Sequence, residues 1–179
     1  MDKKKVLIID TCLLCVWLQV PNKEVSGPDN DRWDYDRVKA KIEFEIEAGT
    51  LLVMPLASII ETGNHVSHIE NRIKQQFVDN FSDMIVNAIQ GKSPWLAFRS
   101  QSRLWDDAHI QEVVEKWKQI NQTGEHAFGD VSILDVATTY RTAGFDVEIL
   151  TSDLLLKSYE SVDLTELNIP APRRRKAKK

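Results

Sequence analysis

Long apolar runs are missing from this 179-residue chain. The longest, Val6 to Val20, is interrupted by Asp10, Thr11 and Gln19 and falls short of the ~18 apolar residues that a membrane-spanning helix takes, so no membrane role is expected. Lys3, Lys4 and Lys5 ahead of apolar residues are what a signal peptide would offer. Asp10 stands inside that stretch, however, and no small-residue cleavage site follows, so a first β-strand in a cytoplasmic protein is expected. Cysteine is scarce: Cys12 and Cys15 are the two, they bracket Leu13 and Leu14, and no second pair exists to complete a zinc or disulfide framework. They read as buried structural thiols. The 7 glycines and 6 prolines are too few for a fibrous or disordered chain, and no internal repeat is present. No glycine-rich phosphate loop occurs, which argues against a nucleotide-cofactor enzyme.

Charge is present but unevenly placed. The net charge is −4, yet Arg173, Arg174, Arg175, Lys176, Lys178 and Lys179 crowd the last seven residues. Removing those six from the 23 basic residues leaves 17 against 27 acidic, an acidic body of −10 followed by a basic tail. The expected organisation is one domain over residues 1–169 and a disordered tail over 170–179, serving either solubility or a tether for nucleic-acid phosphates.

The apolar pattern predicts strands alternating with helices. Val6 to Ile9 is a β-branched run of the kind buried on both faces in a parallel sheet, and a helix through Leu13, Leu14, Trp17 and Leu18 follows it. The stretch from Pro21 to Trp33 reads as a loop, and Tyr35, Val38, Ile42 and Ile46 as a helix stopped by Gly49. Leu51 to Met54 is a second strand, and Ser58 to His65 opens a helix. Ile69, Ile73, Phe77, Phe81, Met84, Ile85 and Ile89 form a helical stripe, and a further helix follows Trp105. Residues 92–103 read as irregular, and about 66–121 as an inserted helical arm. Gly129 to Ala143 is a helix, Val147 to Leu150 a strand and Val162 to Leu167 a candidate edge strand. This alternation specifies an α/β fold, with three layers and a largely parallel central sheet.

Ligands of such sheets bind beyond the carboxyl ends of the strands. Asp10 follows the first strand directly, Asp153 follows the last after Thr151 and Ser152, and Glu61 lies in the helix after the second. Asp130 stands in the first turn of its helix, where the helix terminus favours the ionised form. Singly, Asp130 and Asp153 also suit helix caps. Together, four acids on one rim repel one another unless a cation sits between them, and hard oxygen donors select Mg²⁺ or Mn²⁺ over zinc.

These residues resemble the PIN domain nucleases. The resemblance rests on VLII followed by Asp10 and Thr11, on LASIIE ending at Glu61, on GDVSILDVA with Asp130, Ile133 and Ala137, and on EILTSD ending at Asp153; it spans about Lys5 to Tyr159. It implies a PIN-like fold and hydrolysis of RNA phosphodiesters, with Asp10, Glu61, Asp130 and Asp153 as catalytic residues and ligands of one or two Mg²⁺ or Mn²⁺ ions. Asp10 and Asp130 would be the central ligands, and the hydroxyls of Thr11 or Ser152 could orient a ligand or touch phosphate. The gap from Glu61 to Asp130 is longer than in compact toxin-like members, so the likeness is to the family rather than to one subfamily. The partner implied is RNA. The alternatives are the toxin of a toxin–antitoxin pair, with an antitoxin-like protein partner, and a non-catalytic RNA- or protein-binding module; homodimerisation stays open.

Other features have competing readings. Trp95, Phe98, Arg99, Arg103 and Trp105 interleave aromatics with cations, which suits a nucleic-acid strand or the anchoring of a helical arm to the core; Arg99 and Arg103 are the candidate phosphate contacts. His65 and His68 lie one turn apart without a third zinc-like ligand. Asp135 lies ~140° around the helix from Asp130 and is left out of the site. A haloacid-dehalogenase-type phosphatase would need a second aspartate where Cys12 stands.

Overall fold

The computed structural model describes residues 3–96, 106–121 and 127–159. The predicted edge strand at Val162–Leu167, the basic tail, and Phe98, Arg99, Arg103 and Trp105 lie outside the described residues. In chain order the elements are β1 (Lys5–Ile9), α1 (Thr11–Trp17), α2 (Tyr35–Glu47), β2 (Leu51–Val53), α3 (Leu56–Ser67), α4 (Asn71–Ile89), β3 (Trp95–Leu96), α5 (Asp107–Ile120), α6 (Phe128–Thr142), β4 (Asp146–Leu150) and α7 (Leu154–Ser158). The four strands form one parallel sheet in the order β3-β2-β1-β4. Among the described residues no helix is long and apolar enough to cross a membrane.

The layers follow from the two-residue alternation of a strand. Val6 and Ile8 of β1 face one side, where they join Val53, Ile149 and the inward residues of α5 and α6, among them Val113, Ile133, Leu134 and Ala137. Leu7 and Ile9 face the other side and meet Leu13 and Leu14 of α1, Val38 and Ile42 of α2 and Phe81 of α4. Val6, Leu7, Ile8 and Ile9 of β1 are fully buried, as expected of a central parallel strand. The result is a three-layer α/β/α sandwich. At ~25 cal/mol per Å² of apolar surface, burial in these two cores is the main stabilising term.

The segment predicted as a helical arm is tied into this body. Phe81 and Ala88 of α4 pack into the core beneath α1 and α2, and β3 pairs with β2 through Leu52↔Trp95 and Val53↔Leu96. Residues 95–96 were expected to be irregular, and the structure corrects that expectation. A two-residue strand is too short to show an alternation, and Pro94, which cannot donate to a ladder, suits the edge of a sheet.

The register brings the carboxyl ends of the strands level. Ile8 pairs with Val53 and Ile9 with Leu150, and the Asp10 amide extends the ladder by donating to the Leu150 carbonyl at 3.0 Å. On the same rim α3 packs against both α1 and α6, and the Ser58 hydroxyl donates to the Ile9 carbonyl at 2.9 Å. The rim is thus fixed by backbone pairing before any side-chain chemistry is considered.

Candidate active site

Asp10 is 6% exposed and caps α1, with Oδ1 accepting from the Thr11 amide at 2.6 Å. Its Oδ2 accepts from the Thr151 hydroxyl at 2.7 Å and the Cys12 thiol at 3.0 Å. Thr151 also accepts from the Asp153 amide at 3.0 Å, so one buried hydroxyl links the ends of β1 and β4. A buried carboxylate that accepts three such bonds is held in one orientation.

Glu61 reaches the same rim from α3. Its Oε2 accepts from the Thr11 hydroxyl at 2.8 Å. Its carboxylate lies flat against Gly129, where a Cβ would stand 3.0 Å from Cδ and closer still to Oε1. A side chain at 129 would require the Glu61 carboxylate to shift from this position. Asp130 follows at once, in the first turn of α6, with Oδ2 accepting from the Ala127 amide at 3.0 Å. Asp153 caps α7, accepting from the amides of Leu155 at 2.7 Å and Leu156 at 3.2 Å.

The four acids line one open cleft of about 410 Å³ together with Cys12, Lys23 and His65. Burial pushes the Asp130 carboxyl above the ordinary aspartate value; the Ala127 amide opposes this, and the charges of Asp10, Asp153 and Glu61 reinforce it. The four groups therefore share one electrostatic environment. Burial, with Asp10 beside it, raises the Cys12 thiol to about 12, and burial raises Cys15 to about 11. Both are protonated at neutral pH and act here as packing groups, with Cys12 a donor to Asp10.

All four predicted carboxylates thus face one cleft. Among the described residues, however, no three His, Cys, Asp or Glu side chains are gathered closely enough to hold a metal ion. Asp10, Asp130 and Asp153 each give one oxygen to a nearby backbone amide, of Thr11, Ala127 and Leu155 respectively. The donor set is nevertheless all-oxygen and anionic, which fits a hard divalent cation, and its protonated thiols do not fit a soft one.

Two predicted contact residues have other engagements. The Thr11 hydroxyl is directed to Glu61, and Ser152 shares a 2.6 Å hydrogen bond with Ser26 and donates to Cys12 Sγ at 3.3 Å. Thr11 orients a carboxylate, and Ser152 ties the 21–33 loop over the end of β4. Gly27 makes that tie feasible: its φ of +93° is left-handed, and a Cβ there would stand 2.5 Å from the Asp31 carbonyl oxygen and 3.3 Å from Ser152 Cβ.

Asp135 lies away from the cleft, on the face of α6 turned to α5. It is 4% exposed and engaged by His109 and by Lys116 at 2.9 Å, so it serves the helix pair. Lys23 is what the sequence reading missed, since it stands in a loop without a motif; Thr151 is read there only as part of EILTSD, and His65 is set aside for want of a third zinc-like ligand. Comparison with protein-family models, with curated proteins and with solved structures finds no match for the chain.

Proposed function

We propose that this protein is a metal-dependent endoribonuclease of the PIN-like kind, which hydrolyses RNA phosphodiester bonds at the cleft formed by Asp10, Glu61, Asp130 and Asp153. One observation carries the reading: four carboxylates from four separate segments line a single open cleft at the carboxyl end of a parallel sheet. Such a set destabilises the fold as long as it holds only negative charge, which a cationic ligand would relieve. Asp10 and Asp130 are the central ligands in this reading, and Glu61 and Asp153 complete the shell. Bound Mg²⁺ or Mn²⁺ would supply a water of lowered pKa and offset negative charge on the phosphate and on the leaving 3′ oxygen.

The chain's own residues then have distinct tasks. Thr151 and the Thr11 amide fix Asp10, the Thr11 hydroxyl fixes Glu61, and Gly129 leaves the space in which Glu61 lies. Asp130, whose carboxyl is raised by burial and by the neighbouring acids, would be relieved by a cation. Lys23 is the cation on the cleft wall that can meet an incoming phosphate.

The test is cleavage of a labelled mixed-sequence single-stranded RNA with Mn²⁺ or Mg²⁺, by the native chain, by Asp10→Asn and by the native chain in EDTA. The expected result is metal-dependent cutting that Asp10→Asn reduces by at least about 100-fold. Equal cutting by native and variant proteins would refute the proposal. Metal-dependent RNA binding without cutting would favour a non-catalytic binding module instead.

A further inference from the structure

A second cleft, of about 290 Å³, adjoins the acidic one and shares Asn22, Lys23 and His65 with it. Its remaining wall is of mixed character, with the exposed His68 and Ile73, the buried Ile69 and the carboxylate of Glu70. We propose that this cleft is a nucleotide subsite, which holds the residue of a single-stranded RNA next to the scissile bond, with Lys23 on its phosphate and the base against His68 and Ile73. The inference rests on the endoribonuclease reading of the neighbouring cleft and extends it to substrate binding.

The local backbone explains why these groups meet. Helix α1 ends with Gln19 in the left-handed region at φ 53°, its amide donating to Val16 O at 3.0 Å and the Val20 amide to Cys15 O at 3.0 Å. This termination reverses the chain, and Asn22, also left-handed at φ 65°, turns it again, so that Lys23 faces α3. Glu61 and His65 lie one turn apart on α3 and His68 is its C-cap, so the three follow one another along the end of the helix. Glu61 belongs to the acidic cleft, His65 to both clefts and His68 to the second, so a strand laid along this end of α3 passes from one to the other. His68 Nδ1 is tied to the Asn64 carbonyl at 2.7 Å, which sets the ring while its faces stay exposed.

The chemistry suits a nucleotide. A lysine ammonium meets phosphate, an imidazole face and branched aliphatic side chains accept a base by stacking and apolar contact, and neither selects a particular base. Glu70 at the edge can accept from an exocyclic amine. The surrounding body is acidic, so a cation here has a disproportionate effect on where an RNA strand enters.

The experiment measures binding of a short fluorescein-labelled single-stranded RNA by anisotropy across a salt series. It uses the full chain carrying Asp10→Asn, with and without Lys23→Gln or His68→Gln, and cleavage kinetics of the same two substitutions in the native background. Both side chains are exposed, and thermal melts verify that the fold is kept. The expected result is binding weakened about fivefold or more by each substitution. Lys23→Gln should also lower the slope of log K against log salt by about 0.7, the loss of one phosphate contact, and cleavage should show a raised KM with kcat little changed. Unchanged binding and slope in a protein that cuts RNA would overturn the subsite and leave the acidic site standing. Weakened binding in a protein whose native form does not cut would keep the subsite and overturn the nuclease reading, whereas a native chain that neither binds nor cuts would overturn both.

Discussion

Asp130 shows how a single residue reports on the cleft. Its carboxyl is raised by burial and by three neighbouring acids, so the folded protein holds a proton there at pH values at which the unfolded chain has lost it. Stability contributed by that proton is present below the ordinary aspartate value and is lost as pH rises through the folded one. Asp130→Asn keeps an acceptor for the Ala127 amide and removes the charge. In metal-free buffer at neutral pH it is expected to raise Tm by about 2–4 °C, on the order of 1 kcal/mol, in a calorimetric scan; a fall in Tm would contradict the picture of mutual repulsion. Thr151 makes the complementary case, because Thr151→Val removes a donor to Asp10 Oδ2 while keeping the shape of the side chain. Leaving that buried oxygen short of a donor is expected to cost about 1–2 kcal/mol in a denaturant titration and to lower kcat for RNA cleavage about tenfold. Of these residues the aspartates were legible in the sequence, since each follows a strand or opens a helix. Thr151 was not, because its role depends on β4 lying beside β1 in a register that brings Leu150 opposite Ile9.

Two elements carry predictions of their own. Helix α2 places Glu45, 1% exposed, between Lys41 at 2.7 Å, Lys5 at 2.6 Å and the Thr50 hydroxyl at 2.6 Å, at the end of β1 opposite the cleft. Burial alone would raise the Glu45 carboxyl, but Lys41, Lys5 and Thr50 overcome it and hold it at about 2. Its contribution is therefore complete above about pH 4.5 and fades as pH falls from there toward 2. Glu45→Gln removes one of the two carboxylates that Lys5 and Lys41 share, leaving Glu148 at 2.7 and 2.9 Å, and is expected to lower stability by about 2 kcal/mol at pH 7, with much less effect near pH 2. Urea titrations at the two pH values check this. Helix α1 ends in a left-handed Gln19, a position that glycine occupies without steric cost, so Gln19→Gly is expected to stabilise by about 0.5–1 kcal/mol. Most elements were visible from their periodicity. The exception is β3, which is two residues long and has no period to show.

For the whole molecule, the parallel sheet brings together residues far apart in sequence, and a cleft of four carboxylates is what that topology yields here. The sequence made the α/β class and the four acids legible because buried parallel strands and their acidic termini are local patterns. It hid the wall that Lys23 and His65 add to the cleft, because only packing brings the loop of the one against the helix of the other. The most direct measurement is the Mn²⁺ dependence of Tm for the native chain, for Asp10→Asn, Glu61→Gln, Asp130→Asn and Asp153→Asn, and for Asp79→Asn, an exposed aspartate of α4. With Mn²⁺ at about 100 times its Kd, the native chain is expected to gain about 2.7 kcal/mol, or roughly 5–10 °C in Tm. Asp79→Asn should keep the full gain, and each of the four cleft variants should lose most of it. Equal Mn²⁺ shifts in all six proteins, or none in the native chain, would contradict the claim that these four carboxylates act together as a metal site.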